Sequence, residues 1–191
     1  MSGNWERNIN IKTADELVVM REAGRINHET LEAVKQAIAP GVTTGELNEV
    51  AEAVHRKYNA FSPFKNYPGP YPYPASICTS VNEELVHGIP GKRKLVEGDI
   101  ISVDCGTVYQ GFVGDSAFTA AVGEVSGKAQ RLLEVTRQAL DIAISKMVVG
   151  NRTGDIGAAV QQYVESQKLY VTMLYTGHGV GRQMHEGPQV P

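Results

Sequence analysis

Two aspartates, Asp104 and Asp115, stand in the stretch ISVDCGTVYQGFVGDSAF, residues 101 to 118. Val103 and Cys105 on one side and Phe112 and Val113 on the other flank a turn around Tyr109-Gln110-Gly111, which reads as a β-hairpin. With residues 109 and 110 as the loop, Asp104 pairs directly with Asp115 on one face, their Cβ atoms roughly 5 Å apart. A three-residue loop with Gly111 as a bulge would break that direct pairing. Like charges facing each other destabilise a hairpin, and two readings are open. Either the aspartates face water beside a turn, or a divalent cation lies between them and converts repulsion into attraction through hard oxygen ligands.

The histidines offer complementary donors. TGHGVGRQMHEGP, residues 176 to 188, sets His178 and His185 among four glycines, which let backbone and imidazole approach a ligand closely. The segment lacks the spacing of either nucleotide fingerprint, and no Lys-Ser/Thr follows. A metal ligand at His178, with His185 nearby as a donor, is the better account. Glu186 reads as a base, a further ligand or a charged loop residue. His87, in LVHGIPG, lies at a strand end before a Gly-Pro loop, where ligands and acid–base groups are often presented. A solvated loop histidine is the alternative there. His28 and His55 fall in helical segments beside charged residues and read as surface positions. Cys78 and Cys105 lie among apolar residues and read as core thiols; no G-x-S-x-G elbow supports nucleophilic catalysis.

These residues need elements to position them. Thr13-Ala-Asp-Glu16 is a capping-box pattern that opens a helix, with Leu17, Met20, Gly24, Leu31, Val34 and Ile38 along one stripe until Pro40-Gly41. A second helix starts after Thr44 and carries Leu47, Val50, Ala51 and Val54. Ser62 to Pro74, SPFKNYPGPYPYP, holds five prolines and must be loop, read as a polyproline II ligand or as a rigid aromatic wall beside an apolar pocket. ASICTSV, DIISVDCGTV and GFVGDSAFTAAV read as strands. A long helix follows Ser126, with Leu132, Leu133, Ala139, Leu140 and Ala143 on one side. Another runs from about Gly154 to Gln167, and LYVTMLY, residues 169 to 175, looks like a strand.

The order helix, helix, strands occurs twice, which suggests duplication. PGVTTGELNEVAEAV (40–54) lies over VGNRTGDIGAAVQQY (149–163): Gly41 on Gly150, Thr44 on Thr153, Gly45 on Gly154 and Leu47 on Ile156. The chain is therefore expected to form a single domain over 1–191, with a first repeat over about 14–123 and a second over about 124–191 that is cut short.

Bulk composition narrows the function. The 191 residues suffice for a proper core, and a formal charge of −3 gives no electrostatic reason to expect nucleic acid or an anionic membrane as partner. GKRKL (91–95) is the only basic run. No apolar stretch approaches the roughly 20 residues of a membrane span, MSGNWERNINIK lacks an apolar signal region, and two cysteines make no disulfide framework. A cytoplasmic protein is expected.

With SICTSVNEELVHGIP, GDIISVDCGTVYQGFVGDSA and GHGVGRQMHEGPQVP assembled, the chain resembles the bacterial-type (type I) methionine aminopeptidases over nearly all of residues 12 to 191. The resemblance implies the pita-bread fold of the creatinase/aminopeptidase class, an α+β duplication with helices outside a curved antiparallel sheet. It implies hydrolysis of the first peptide bond of nascent proteins, releasing the initiator methionine, with two divalent ions (Mn, Fe, Co or Zn) as cofactors. Asp104, Asp115 and His178 match metal ligands, Asp115 bridging the ions. His87 and His185 match catalytic, substrate-contacting histidines that are not ligands. Tyr73, Cys78 and Met184 match residues lining the methionine pocket, where the family commonly has phenylalanine at position 184. Two further glutamate ligands of the family lie beyond residue 191, so the chain is expected to be C-terminally truncated, with weakened metal binding and activity. A non-catalytic binding domain of the same fold and one half of a split enzyme are the alternatives. Transient ribosome contact and a monomeric state complete the expectations.

Overall fold

The structure is a computed structural model describing residues 9–191; the N-terminal MSGNWERN, part of the stretch read as lacking a signal region, lies outside them. The described chain forms two units. The first comprises Ile11–Ser126 together with Val180–Met184, and the second comprises Gly127–Gly179 and His185–Pro191 with residues 9–10.

In the first unit, α1 (Ala14–Ala37) and α2 (Thr44–Lys57) each open on a complete capping box, Thr13 with Glu16 and Thr43 with Glu46. The second cap is Thr43, one residue earlier than the sequence suggested. Three antiparallel strands follow: β1 (Ile77–Val81), β2 (Ile100–Tyr109) and β3 (Phe112–Ala121), in the order β1-β2-β3. Leu31 and Val34 of α1, Leu47 and Ala51 of α2, and Ile77, Val81, Ile101, Val103 and Cys105 of the sheet make one buried cluster with Leu95 and Val122. The buried face of α1 begins only at Ala23; Leu17, at the head of the expected stripe, is half exposed. α1 approaches β3 so closely that a Cβ on Gly114 would lie 2.9 Å from the backbone of Ala23 and Gly24, a contact no other residue permits.

Polar groups tie this core together. Asn27 of α1 donates to Ser116 Oγ at 2.8 Å, and Thr107 Oγ1 donates to Asn27 Oδ1 at 2.8 Å. Because the Thr107 proton is committed, its oxygen accepts from His55 Nε2 at 2.9 Å, which makes His55 the Nε2–H tautomer. His55 is therefore not the surface residue its charged neighbours suggested: it is 3% exposed. Position 55 lies on the same face of α2 as Leu47 and Ala51, and that face packs on the sheet. Its Nδ1 has no hydrogen-bond partner among the described residues, and burial, opposed weakly by Glu52, pushes its pKa below the ordinary histidine value. His28 is exposed, as its neighbours suggested.

In the second unit, α3 (Gly127–Ser145) and α4 (Thr153–Ser166) precede a two-stranded antiparallel pair, β4 (Gly177–Gly179) and β5 (Glu186–Val190). α2 and α4 are both 14 residues long, begin 109 positions apart, and follow Gly41 and Gly150, whose φ angles are +93° and +100°. Ala139 and Ala143 are buried on α3 as expected, but Val135 takes the place of Leu132 and Leu140, which stay exposed. Residues 169–175 form no strand. Their apolar character suits a pleated surface, but a strand exists only when a ladder is there to pair with, and Tyr170, Met173 and Leu174 are more than 80% exposed.

Candidate metal centre

The hairpin β2–β3 turns through Gln110 and Gly111, both with positive φ (46° and 79°), the signature of a two-residue type I′ turn. Tyr109 accordingly pairs with Phe112, Asp104 with Ala117, and Gly106 with Asp115. The direct Asp104–Asp115 pairing expected from a 109–110 loop is therefore corrected by two residues. The left-handed turn needs a glycine at its second position, so Gly111 must lie inside the loop. A two-residue shift conserves the face. Asp104 and Asp115 remain on the same side as diagonal neighbours, typically about 7 Å apart. That side is the one opposite the α1–α2 core: Val103, Cys105 and Thr107 point into the core while Asp104 is half-buried on the other face.

The electrostatics follow from this placement. Burial first, and the Asp115 charge second, push the Asp104 carboxyl up to about 7, and only the backbone N–H of Cys105 favours its ionised form. Two half-buried carboxylates, one of them held protonated by burial and by its neighbour's charge, are a hard-oxygen donor set that a divalent cation would suit. On this observation the aspartates fit such an ion.

Cys78 lies across the ladder from Asp104 on the same face. Burial and the two aspartates raise its thiol to about 11, with Tyr73 opposing, so it is a protonated, weakly nucleophilic group rather than a thiolate. The Tyr73 hydroxyl hydrogen is shared between the carbonyl oxygens of Ile77 at 3.1 Å and Gly88 at 2.9 Å. Through Gly88 it braces the loop bearing His87. That loop is further docked by Thr79 N–H donating to Gly88 O (2.8 Å) and Gly88 N–H donating to Ser80 Oγ (3.1 Å). His87 is exposed and holds a φ of +60°, an uncommon conformation for a side chain with a Cβ. The first unit thus gathers Asp104, Asp115, Cys78 and Tyr73 at one sheet face, with His87 on the loop that Tyr73 secures.

Met184, half-buried, belongs to the segment Val180–Met184, which packs in the first unit. Val113 N–H donates to Gly181 O at 2.8 Å, and Arg182 stacks over Phe112 at 4.3 Å while reaching Glu16 at 3.0 Å.

The second unit holds the other donors. His178 lies on β4, and its ring centroid is 4.4 Å from that of His185, just before β5. His178 Nδ1 lies 3.0 Å from the carbonyl oxygen of Gly179, to which it donates in the neutral ring, so the lone pair falls on Nε2. That is the arrangement of a ligating imidazole. Glu186, one reading of which was a charged loop residue, is instead buried in β5 at 5% exposure and accepts from Asn10 Nδ2 at 3.2 Å. Among the described residues no three or more His, Cys, Asp or Glu side chains are gathered as a ligand shell.

Comparison with known proteins accords with these features. The family model described as metallopeptidase family M24 matches residues 18–191. A methionine aminopeptidase of Clostridium acetobutylicum is 50% identical over 182 residues, covering 95% of this chain and 72% of that protein. Methionine aminopeptidase 1 of Bacillus subtilis is 48% identical, covering 94% and 71%. The solved methionine aminopeptidase of Thermotoga maritima superposes with a TM-score of 0.91 at 44% identity, covering 96% of this chain and 73% of that one. The architecture is accordingly the pita-bread α+β fold. With a family match running nearly end to end, this chain belongs to metallopeptidase family M24, among the bacterial-type methionine aminopeptidases.

Proposed function

We propose that this chain is a metallo-aminopeptidase that hydrolyses the first peptide bond of newly made proteins and releases their initiator methionine. The observation that carries the reading is the aspartate face of β2–β3, where two half-buried carboxylates stand beside a protonated thiol and an anchored tyrosine. Asp104, Asp115 and His178 are proposed as protein ligands of two divalent ions, of which Mn, Fe, Co and Zn all suit oxygen-rich donors with one imidazole. Bound there, such ions supply Lewis-acid activation of water near neutral pH.

The remaining roles belong to the chain's own side chains. Tyr73, Cys78 and Met184 are proposed to line the methionine pocket; a thiol kept protonated by burial offers the soft, apolar contact that a thioether prefers. His87 and His185 are proposed to donate hydrogen bonds to the scissile carbonyl, stabilising the charge that develops on its oxygen. We further propose a single domain over 1–191 built from two copies of one unit, about 14–123 and 124–191. A cytoplasmic monomer with transient ribosome contact fits the substrate. No helix among the described residues is long and apolar enough to cross a membrane.

The test is release of free methionine from a Met-Ala-Ser peptide, with Leu-Ala-Ser as control, in the presence of Mn²⁺, Fe²⁺, Co²⁺ or Zn²⁺. Metal-dependent release from the first peptide alone, lost in Asp115→Asn, is the expected result. The same assay is run on a chain extended by the downstream coding sequence, and no release from that extended chain with any of the four metals overturns the reading. One observation favours a second reading, a non-catalytic binding domain: no three-membered ligand cluster forms among the described residues. That reading requires peptide binding that is indifferent to metal.

A further inference from the structure

Period-two alternation along β1 puts Ser80 on the same face as Cys78, directly across the ladder from Ser102 and two residues on from the Cys78–Asp104 pair. Ser80 is 4% exposed. The chain that leaves β1 at Val81 comes back against it at Gly88: a Cβ on Gly88 would overlap the Thr79 carbonyl group and lie 3.0 Å from Ser80 Cα. The excursion is closed at both ends. At its start, Val81 N–H donates to Glu84 Oε2 at 2.8 Å and Glu84 N–H donates to Val81 O at 3.2 Å.

At its end, Gly88 is held on two different peptide planes. Its carbonyl oxygen, on the plane leading to Ile89, accepts from Thr79 N–H at 2.8 Å and from the Tyr73 hydroxyl at 2.9 Å. Its N–H shares a plane with the His87 carbonyl and donates to Ser80 Oγ at 3.1 Å. A peptide unit turns as one rigid plate, so the Ser80 hydroxyl fixes the plate that leaves His87, and with it the ψ angle of His87. The bonds to Thr79 and Tyr73 act one plate further on. This matters because His87 holds a φ of +60°, which disfavours a residue with a Cβ. Such a backbone persists where its surroundings over-determine it. His87 is exposed, so the direction in which its imidazole leaves the chain follows that backbone.

We infer that Ser80 is a positioning residue for His87: by accepting from Gly88 N–H it locks the left-handed backbone that aims the imidazole. The inference rests on the aminopeptidase reading, in which His87 donates to the scissile carbonyl. Ser80 touches neither substrate nor metal in this role. Its effect passes through His87 alone, and a group that stabilises charge developing in the transition state shows itself in kcat rather than in KM.

The experiment is a double-mutant cycle of Ser80→Ala with His87→Ala, read in two ways. The first is turnover of Met-Ala-Ser with Mn²⁺, Fe²⁺, Co²⁺ or Zn²⁺ by the chain extended with the downstream coding sequence. Ser80→Ala is expected to lower kcat roughly three- to tenfold, the worth of one hydrogen bond, with KM unchanged, and to have no further effect on the residual kcat of His87→Ala. Equal losses in both backgrounds, a loss carried by KM, or an unchanged kcat overturns the inference. The second readout needs no activity: ¹⁵N relaxation of the 191-residue chain. In wild type the His87 amide is expected to be as ordered as Thr79 in β1, with an order parameter of about 0.85. A His87 amide measurably more mobile than Thr79 overturns the inference without any variant. In Ser80→Ala the order parameter of His87 should fall toward about 0.6 while that of Thr79 holds; no change at His87 overturns the inference. If the extended wild-type chain releases no methionine with any metal, the aminopeptidase reading fails. The order parameters then decide the clamp alone, by the same two outcomes.

Discussion

Replacing Thr107 by valine tests the buried chain that joins the hairpin to both helices. Valine has nearly the same shape, so no cavity forms, but both hydrogen bonds of the hydroxyl vanish. Asn27 Oδ1 loses its donor at 2.8 Å and His55 Nε2–H its acceptor at 2.9 Å, in residues that are 1% and 3% exposed. Each buried group left unpaired costs about 1–3 kcal/mol, so Thr107→Val should destabilise by about 2–6 kcal/mol. For a chain of this size that lowers Tm by roughly 4–24 °C. Urea unfolding followed by circular dichroism at pH 7.5 in chelator is the assay. In a His55→Phe background one of the two orphaned groups no longer exists, so Thr107→Val should cost about 1–2 kcal/mol less there. The sign with pH is also set. His55 has its pKa lowered in the folded state, so its contribution is fully present above the unfolded value of about 6.5 and is lost as pH falls below it. The stability gap between wild type and His55→Phe should therefore narrow or reverse from pH 8 to pH 5.5. A Thr107→Val cost below about 0.5 kcal/mol, or strict additivity with His55→Phe, would refute the reasoning.

The aspartate pair predicts the opposite pH sign in the metal-free protein. Asp104 is held near 7 by burial and then by Asp115, so stability should decline as pH rises from about 4 to 7, by at most about 4 kcal/mol. Asp115→Asn should raise Tm at pH 8 and leave it unchanged at pH 4; equal effects at both would dismiss the charge argument. Adding Mn²⁺ at pH 8 should raise the Tm of wild type and not of Asp115→Asn, as differential scanning fluorimetry would show. Gly114→Ala forces a Cβ to within 2.9 Å of the α1 backbone and should cost about 1–3 kcal/mol. A wild-type Tm for that variant would mean that α1 is seated less closely on β3.

Local geometry made much of this molecule readable in its sequence. The capping box at Thr13 names the start of α1, because its Thr and Glu side chains bond backbone N–H groups only three residues apart, and the start read after Thr44 lies one residue from the cap of α2 at Thr43. Either two-residue loop, 109–110 or 110–111, puts Asp104 and Asp115 on one face, because a two-residue shift conserves it, and Gly-rich spacing brought His178 and His185 into one segment, where their rings lie 4.4 Å apart. Other features depended on partners distant in the chain. The hairpin register waited on which residues of Tyr109-Gln110-Gly111 accept a left-handed backbone. His55 has charged sequence neighbours, yet it is buried because its face of α2 rests on the sheet, where Thr107 and Asn27 meet it. Residues 169–175 are apolar enough to look like a strand but have no ladder to join. Periodicity states which residues share a face; only packing decides which face is covered, and the free energy of burial, not the pattern, separates a buried histidine from an exposed one.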